Sequence, residues 1–377
     1  MRAGWEIRTL GEVCEIYQPK TLSAKDLDES GQYFVYGANG IIGKYTKYNH
    51  EDSEVILTCR GSTCGTINVS LPFSWINGNA MVVRPKDKVI LKEYLKYLLR
   101  GIDYSKVITG AAQPQITREK LAPSVISFPK STTEQQRIVD ILDQEFAKID
   151  ALKANAEKSL QAAKDLFQAT LKKELEPKEG WKTNTLSSIG KTATGTTPST
   201  SHKEYYGDFI PFIKPADINI DGKGGLCYSN EGLSEEGANN GRVFQENSIL
   251  MVCIGASIGK VGYALYPVSS NQQINILTPS KEYHWKFLYY CMASPDFQHK
   301  VIKEGESAKA TLPIINKSKW ERLTITTPNI TEQVKIIAHL DGLNDKCSKL
   351  QENYQKTFAL CDDLKQSLLR KAFNGEL

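Results

Sequence analysis

The sequence predicts two mixed α/β (α+β) heads that alternate with two long helices, all produced by one internal duplication. Two continuous helical patterns, over 131–176 and 329–377, support this fold class. The two patterns match without gaps at a constant offset of 198 residues, so that Thr133-Glu134-Gln135 recurs as Thr331-Glu332-Gln333. Two unrelated amphipathic helices would rarely align over some 45 residues, and a duplication is the better interpretation.

The first long helix is predicted to begin at Ser131, where Ser131 and Glu134 have the spacing of a capping box. Pro177 is expected to end it, because proline breaks a helix interior. Apolar or small residues recur mostly at steps of three, four or seven and predict a narrow seam that needs a partner helix. The seam is predicted to contain Leu142, Ile149, Leu152, Ala156, Leu160, Ala163 and Leu166.

The second long helix supplies that partner and has its own capping box at Asn329 and Glu332. Two cysteines fall on its seam, where a thiol behaves as a small hydrophobe. Its seam is predicted to contain Leu340, Cys347, Leu350, Tyr354, Phe358, Cys361, Leu364 and Leu368.

The two heads, 1–130 and 177–328, share a framework but differ in loop length and in most side chains. Both open with Gly-Trp, and the segment 61–65 of the first head corresponds to 255–259 of the second. Apolar runs predict strands, and two amphipathic stretches predict one helix in each head. The predicted strands are Glu54–Thr58, Ala80–Arg84, Ser248–Cys253 and Ile274–Leu277; the helices are Leu91–Leu99 and His284–Met292; and polar loops are expected at Tyr36–Tyr48 and Ala193–Tyr206.

Charge is distributed unevenly along the 377 residues, which carry a net charge of +4. The helical segments 131–176 and 329–377 carry −2 and zero, so the heads carry +6. A polyanion would therefore meet the heads. However, +6 spread over both heads is also ordinary for a globular protein, and charge alone does not decide between these interpretations.

Composition favours a cytoplasmic protein. No apolar run is long enough to span a bilayer, and the N-terminus lacks a secretory apolar region. The eight cysteines form no CxxC pair, which suits a reducing compartment and argues against a disulfide framework or a structural zinc site.

No motif indicates catalysis by this chain. The segment Gly255–Lys260 resembles a phosphate loop but has three residues between its glycines and Val261 after the lysine, so we interpret it as a turn between strands. The five histidines have no metal-binding spacing, and Asp296 with Lys300 lacks the second acidic strand of a nuclease pattern. We expect a binding protein that holds neither a metal nor a cofactor.

The order of heads and helices resembles the specificity subunit of bacterial type I restriction–modification enzymes, over the whole chain. The motifs closest to that family are Tyr36–Gly43, the segment from Thr197-Pro198-Ser199 to Ile213, and the ending Leu368–Leu377. The first helix departs from the family pattern at Lys173–Pro177, which lacks the Ala-Phe-Asn-Gly of the second.

The resemblance implies a function in DNA recognition. Each head would be a target-recognition domain for one half of a split sequence in double-stranded DNA. The helices, 131–176 and 329–377, would form an antiparallel coiled coil that spaces the heads and docks two adenine-methyltransferase (modification) subunits. Restriction/translocase subunits would join them, and S-adenosylmethionine, ATP and Mg would belong to these partners in a bacterial or archaeal cytoplasm. A helix of about 40 residues is roughly 60 Å long, which exceeds the roughly 34 Å of one turn of duplex.

Residue chemistry suggests which side chains contact DNA, because Arg, Lys, Asn and Gln read bases and Ser, Thr and Tyr bind phosphates. For any one of them, a solvated loop side chain or a structural hydrogen bond is an equal alternative. The candidates are Lys44, Tyr45, Lys47, Arg60, Ser62 and Gln113 in the first head, and Thr197, Ser199, Lys203, Asn240, Arg242, Ser257, Lys260, Gln272 and Lys309 in the second.

Two other function classes stay open at this point. A coiled-coil adaptor that joins two proteins would show no salt-dependent DNA binding, and an enzyme with an unfamiliar site would be active as an isolated chain. The repeat order also predicts that the chain's two ends lie near each other, with Gly4 close to Gly375.

Overall fold

The computed structural model describes residues 4–110, 113–306 and 313–377. The chain forms two compact units, the first made of residues up to Ala156 together with Gln355–Leu377, and the second of Glu157–Tyr354. Each unit contains one head, the beginning of the long helix that follows that head, and the end of the other long helix.

Unit 1 is built around three small sheets and a layer of helices. The four-stranded sheet has the order β2-β8-β5-β6, a three-stranded sheet has the order β4-β3-β7, and β1 pairs with β9. The elements are β1 (Trp5–Thr9), α1 (Leu10–Val13), β2 (Cys14–Tyr17), β3 (Tyr33–Gly37), β4 (Gly40–Tyr45), β5 (Val55–Thr58), β6 (Ile67–Val69), β7 (Trp75–Ile76), β8 (Ala80–Pro85), α2 (Lys92–Arg100), α3 (Arg118–Leu121), β9 (Val125–Pro129) and α4 (Thr132–Glu174).

The central strand β5 explains the layer order of unit 1. Val55 and Leu57 belong to the core that contains α2 and the long helices, whereas Ile56 belongs to a second core with Tyr36 and Ile76 of the neighbouring sheet. Both faces of the strand are covered, and this is why its sequence is continuously apolar rather than alternating.

Unit 2 repeats this plan. Its elements are β10 (Lys182–Thr185), α5 (Leu186–Ile189), β11 (Gly190–Thr194), β12 (Tyr206–Ile213), β13 (Gly232–Leu233), α6 (Glu235–Asn240), β14 (Ile249–Val252), β15 (Val261–Tyr263), β16 (Ser269–Ser270), β17 (Ile274–Pro279), α7 (Trp285–Ala293), α8 (Pro295–Glu306), α9 (Lys317–Trp320), β18 (Thr324–Thr327) and α10 (Ile330–Asn374).

The sheets of unit 2 have the same strand order as those of unit 1, namely β11-β17-β14-β15, β13-β12-β16 and β10-β18. The predicted duplication is therefore confirmed. The main difference in length lies between the paired strands β12 and β13, which residues 214–231 connect, whereas only Ala38 and Asn39 connect β3 to β4. This insertion accounts for most of the change of offset between the opening tryptophans and the Gly-containing turns.

The predicted strands and the predicted helix of each head are confirmed within a residue or two. The prediction of a polar loop over Tyr36–Tyr48 was wrong, because most of this segment forms the β3–β4 hairpin. The glycines on β4 hid the strand pattern, and Gly40, with φ +102°, takes the backbone conformation that the tight turn requires. The loop over Ala193–Tyr206 is confirmed from Gly195 to His202.

Both long helices begin as predicted. Ser131 Oγ accepts the Glu134 N–H at 3.4 Å, and Asn329 Oδ1 accepts the Glu332 N–H at 3.0 Å. The glutamine that follows each glutamate, Gln135 or Gln333, is buried. Each of these amides hydrogen-bonds main-chain groups of its own head and so fixes the helix to it.

The helices run antiparallel in each unit. In unit 1 Lys153 pairs with Asp362 at 3.4 Å, and Arg137 donates to the Leu377 carbonyl at 2.8 Å. In unit 2 His339 contacts Glu174 at 3.0 Å. The partner residue numbers fall as the α4 numbers rise, which is the order that antiparallel helices require.

The seam positions alternate at steps of four and three residues, and all of them except Gln351 are buried or half-buried. They are 142-146-149-153-156-160-163-167-170 in α4 and, at the offset of 198, 340-344-347-351-354-358-361-365-368 in α10. Four predicted seam residues were wrong. Leu152, Leu166, Leu350 and Leu364 are 54%, 60%, 38% and 50% exposed. One residue rotates a helix by about 100°, and so these leucines point away from the seam, which Lys153 and Phe167 occupy instead in α4. The other eleven predicted seam residues are buried or half-buried.

The two ends of the chain lie on the same core, as predicted. Trp5, Leu369 and Ala372 are buried in one cluster, and Leu377 packs against it. The Gly4 carbonyl accepts the N–H of Lys130, the residue that leads into α4.

Candidate nucleic-acid interface

The turn between β5 and β6 positions three of the candidates in the first head. Gly61 and Gly65 adopt φ values of +94° and +96°, which let the chain reverse. The Gly61 N–H donates to the Pro114 carbonyl at 3.0 Å, and Arg60 forms a β-bridge with Gln115. Arg60, Ser62 and Gln113 are all exposed. The structure therefore brings a cation, a hydroxyl and an amide together on one surface.

Three further polar side chains border this turn and were missed by the sequence reasoning. Gln18 donates through Nε2 to Cys59 Sγ at 3.1 Å, the Asn79 carbonyl accepts the Cys59 N–H at 3.1 Å, and Thr58 Oγ1 donates to the Ala38 carbonyl, next to Asn39. The side chains of Gln18, Asn39 and Asn79 are exposed. Amide side chains suit an adenine edge, but only the tertiary structure brings these distant positions together.

Lys44, Tyr45 and Lys47 lie at the other end of the β3–β4 hairpin. The ladder pairs Gly37 with Gly40 at the turn and Tyr33 with Tyr45 at the opposite end. The Tyr45 ring packs edge-on against Trp75, with 5.3 Å between ring centroids, and Lys44 Nζ lies 5.8 Å from the Phe34 ring centroid. The structure therefore does not place these residues beside the group formed by Arg60, Ser62 and Gln113.

The second head has the equivalent turn with different side chains. The Gly255 N–H donates to the Pro313 carbonyl at 3.0 Å, as Gly61 does to Pro114. A β-bridge joins Ile254 to Ile314 where the first head has Arg60 and Gln115. Ser257 is exposed, and Lys260 donates to the Pro215 carbonyl at 3.3 Å. The segment that resembles a phosphate loop is this turn between β14 and β15, as predicted.

A second group in this head joins three candidates on one surface. Thr197 Oγ1 donates to Gln272 Oε1, and Arg242 Nη1 donates to the Thr194 carbonyl at 2.6 Å. All three candidate side chains are exposed. These bonds hold the amide and the guanidinium beside the strand end of β11, with donors left for a ligand because a guanidinium carries five N–H groups.

The remaining candidates of the second head lie nearer α6. Ser199 Oγ bonds Ser201 Oγ at 2.7 Å, and Lys203 begins a single 3₁₀ turn, Lys203–Tyr205. Asn240 Nδ2 donates to the Glu236 carbonyl at 3.0 Å in its own helix, which is the structural alternative to a DNA contact. Lys309 lies outside the described residues.

The titratable groups near these turns have structural roles. Burial lowers the pKa of His50, whose ring nitrogens contact Tyr17 Oη at 2.8 Å and Asn49 Oδ1 at 2.6 Å. Burial raises the pKa of Cys14 and of Cys253 to about 12, which keeps both as unreactive thiols. Asp296 lies in the first turn of α8 and Lys300 donates to the Thr324 carbonyl at 3.1 Å, so this pair is not assembled into a nuclease-like site.

Across residues 4–110, 113–306 and 313–377, no group of three or more His, Cys, Asp or Glu side chains could hold a metal ion. In the same ranges, no helix has the length and apolarity needed to cross a membrane.

Comparison with known proteins supports one family. The family model for the type I restriction modification DNA specificity domain matches residues 2–162 and again residues 178–357. The EcoR124I/EcoR124II specificity subunit of Escherichia coli is 27% identical, over 93% of this chain and 89% of that protein. The HindI specificity subunit of Haemophilus influenzae is 31% identical, over 52% of this chain and 42% of that protein.

The match to the MjaIX specificity subunit of Methanocaldococcus jannaschii likewise covers 44% of that protein, at 29% identity over 52% of this chain. The chain thus spans about two fifths of the length of these two relatives, HindI and MjaIX.

Solved structures share the fold. A chain from a structure described as the basis of complex assembly and conformational transition of the type I R-M system has a TM-score of 0.76 at 19% identity, covering 100% of this chain and 99% of that chain. The HsdS subunit from Thermoanaerobacter tengcongensis has a TM-score of 0.57 at 18% identity, covering 100% of this chain and 98% of that one. With a family model that matches each half, the chain belongs to the type I restriction modification DNA specificity domain family, with one copy of the domain in each half.

Proposed function

We propose that this chain recognises a split sequence in double-stranded DNA and has no catalytic activity of its own. Each head, 1–130 or 177–328, reads one half-site. The helical segments, 131–176 and 329–377, fix the spacer between the half-sites.

One observation carries this proposal. The two heads have the same strand order and the same glycine-bearing turn, yet the side chains on and beside that turn differ. Arg60 precedes the turn in the first head, whereas Ile254 occupies that position in the second, where Lys260 follows the turn. Duplicated scaffolds with diverged turns suit two readers of different sequences, because side-chain chemistry at base edges determines which bases are bound.

The partners follow from the same family. We propose that two methyltransferase subunits dock on the paired helices and that restriction/translocase subunits join them, in the cytoplasm of a bacterium or an archaeon. This chain would use no cofactor, whereas S-adenosylmethionine, ATP and Mg would serve the partners. The net charge of −2 on 131–176 supports a role for the helix in protein docking, since a rod laid along phosphates should be basic.

Mapping methylated adenines tests the proposal in cells that express the methyltransferase with or without this chain. We expect methylation at one split sequence, only when the chain is present. Methylation that does not depend on the chain, or no salt-dependent DNA binding by the assembled complex, would favour the adaptor hypothesis instead.

Variants of the two groups test how the heads divide the target. The substitutions R60A and Q113A should relax the sequence requirement in one half-site, and R242A and Q272A should relax it in the other. Each lost bidentate base contact is worth about 1–3 kcal/mol of discrimination. Replacing Lys158, an exposed residue of α4, with alanine is the matched control and should change neither half.

A further inference from the structure

Two ion pairs cross the helix seam in unit 1. Lys153 of α4 pairs with Asp362 of α10 at 3.4 Å, and Lys365 of α10 pairs with Asp150 of α4. Each lysine occupies a seam position and lies over an aromatic ring of the facing helix. Lys153 Nζ is 5.6 Å from the Phe358 centroid, and Lys365 Nζ is 5.1 Å from the Phe146 centroid.

The lysines are shielded rather than freely solvated. The side chains of Lys153 and Lys365 are 34% and 24% exposed, whereas the paired carboxylates of Asp362 and Asp150 are 66% and 61% exposed. Aliphatic stems therefore cover apolar surface while the charged ends reach the rim. A charged residue at a single seam position is a known means of selecting register and partner in coiled coils.

The duplication identifies the residues that a helix of a second copy would place at the positions of these ion pairs. At the offset of 198 residues, Ser348 and Gln351 of α10 correspond to Asp150 and Lys153, and Lys164 and Phe167 of α4 correspond to Asp362 and Lys365. The two copies of the seam thus share their spacing, but only one half carries the crossed charges.

Pairing between two copies of the chain would lose these attractions. If α4 met α4 of a second copy in the same register, each Lys153 would face a Lys164, and this like-charge contact would occur twice. If α10 met α10 of a second copy, Asp362 would face Gln351 and Lys365 would face Ser348, so both ion pairs would be lost.

We propose that the crossed lysine–aspartate pairs select α10 of the same chain as the partner of α4 and reject α4 of a second copy. Two effects contribute to this selection. Lys153 attracts Asp362 of the same chain, and it would repel Lys164 of a second copy. The inference concerns helix pairing alone and does not depend on DNA binding. Under the proposed function, its consequence would be a complex that carries one head of each kind.

A charge exchange separates the two effects. In the full chain, K153D/D362K restores an attractive pair within the chain, but it makes contacts between positions 153 and 164 of two copies attractive. We expect a thermal midpoint near that of the original chain and about tenfold more capture of a second, differently tagged copy on co-expression, since each of the two contacts contributes about threefold. Adding K164D should return capture to the original level, whereas adding K158D should not.

Zero-length carbodiimide crosslinking identifies the pairing. In K153D/D362K, a crosslink should join position 153 of one copy to Lys164 of an isotopically labelled copy. The proposal is overturned if K153D/D362K captures no more second copy than the original chain, if K164D fails to reverse the capture, or if K158D reverses it equally. Should the exchanged variant be unstable, K164D alone is the alternative test, because it leaves the pairs within the chain intact and makes both contacts between positions 153 and 164 attractive. It should raise capture about tenfold over K158D; equal capture would reject the proposal.

Discussion

At the residue scale, the buried amides of Gln135 and Gln333 fix each long helix to its head. Gln135 Oε1 accepts the Leu91 N–H at 2.8 Å, and its Nε2 donates to the carbonyls of Val89 at 3.0 Å and Pro129 at 2.8 Å. Gln333 makes the equivalent bonds, to the His284 N–H and to the Pro328 carbonyl, each at 2.9 Å. The Thr-Glu-Gln repeat is thus a structural joint in addition to a helix start.

Removing this amide should destabilise the protein. We expect Q135A to lower the free energy of unfolding of unit 1 by about 3 kcal/mol, because it removes the side-chain partners of the buried Pro129 carbonyl and of the half-buried Leu91 N–H and Val89 carbonyl. Q136A is the matched control, since Gln136 is exposed and bonds only Asp140 among the hydrogen bonds seen for its side chain. Urea denaturation measures both, and equal midpoints for the two variants would contradict the assigned role.

Buried thiols should make the fold sensitive to alkali. Burial raises the pKa of Cys253 from 9.0 to about 12, so the folded protein keeps a proton that the unfolded chain releases above pH 9. This contribution to stability is fully present below pH 9 and is lost as the pH rises from 9 towards 12. Between pH 8 and 10, the free energy of unfolding of the original chain should therefore fall by about 1.4 kcal/mol more than that of C253A. Identical pH profiles in urea titrations would contradict this.

At the element scale, the register of the seam depends on which face of a helix meets its partner rather than on which residues are apolar. Leu142 is fully buried, whereas Leu152 is 54% exposed although both are leucines of the same helix. Lys153 takes the seam position next to Leu152 because its stem can pack on Phe358 while its charge reaches Asp362.

Alanine substitution separates these positions. L142A should cost about 3 kcal/mol of unfolding free energy, the usual cost of a truncated core leucine. L152A should stay within about 0.5 kcal/mol of the original chain, as is usual for surface substitutions. Chemical denaturation measures both values. A cost for L152A as large as that for L142A would show that the seam runs along the face predicted from leucine spacing alone.

Each head is also tied to its following helix by a tyrosine and a lysine. Tyr97 donates to Asp143 of α4, and Lys96 lies 3.8 Å from the same carboxylate. In the second head Tyr290 donates to Asp341 of α10 at 2.5 Å, and Lys286 pairs with that carboxylate at 2.7 Å. The same joint thus occurs in both units, although most side chains around it have diverged.

At the scale of the whole molecule, helix length should set the spacer of the DNA target under the proposed function. Deleting one heptad from each long helix shortens both by about 10 Å, which corresponds to about three base pairs. We expect the spacer to shorten by that amount while both half-sites keep their sequences, as read by methylation mapping. Deleting a heptad from one helix only is the control and should disrupt pairing, because it puts the two seams out of register.

A change in half-site sequence with an unchanged spacer would contradict the proposed role of the helices. It would indicate that the heads sense helix length through their own conformation.

The sequence alone determined the duplication, the two long helices and their caps, and most strands and helices of the heads. These features follow from local periodicity and from repeated residues such as Thr-Glu-Gln, which do not depend on distant contacts. The family resemblance was also readable, because its motifs are contiguous segments.

Only the tertiary structure decided how candidate residues group. Arg60, Ser62 and Gln113 meet because Gly61 bonds Pro114, whereas Lys44 lies at the far end of a hairpin that looked like a loop. The hairpin and the observed seam both depend on long-range packing. Pairing with β3 makes the glycine-containing segment β4 a regular strand. Phe358 and Asp362 of the facing helix make Lys153 a better seam residue than its neighbour Leu152. Residue type alone therefore predicts strand pairing and seam positions poorly, because the stabilising contacts are made with residues far apart in the chain.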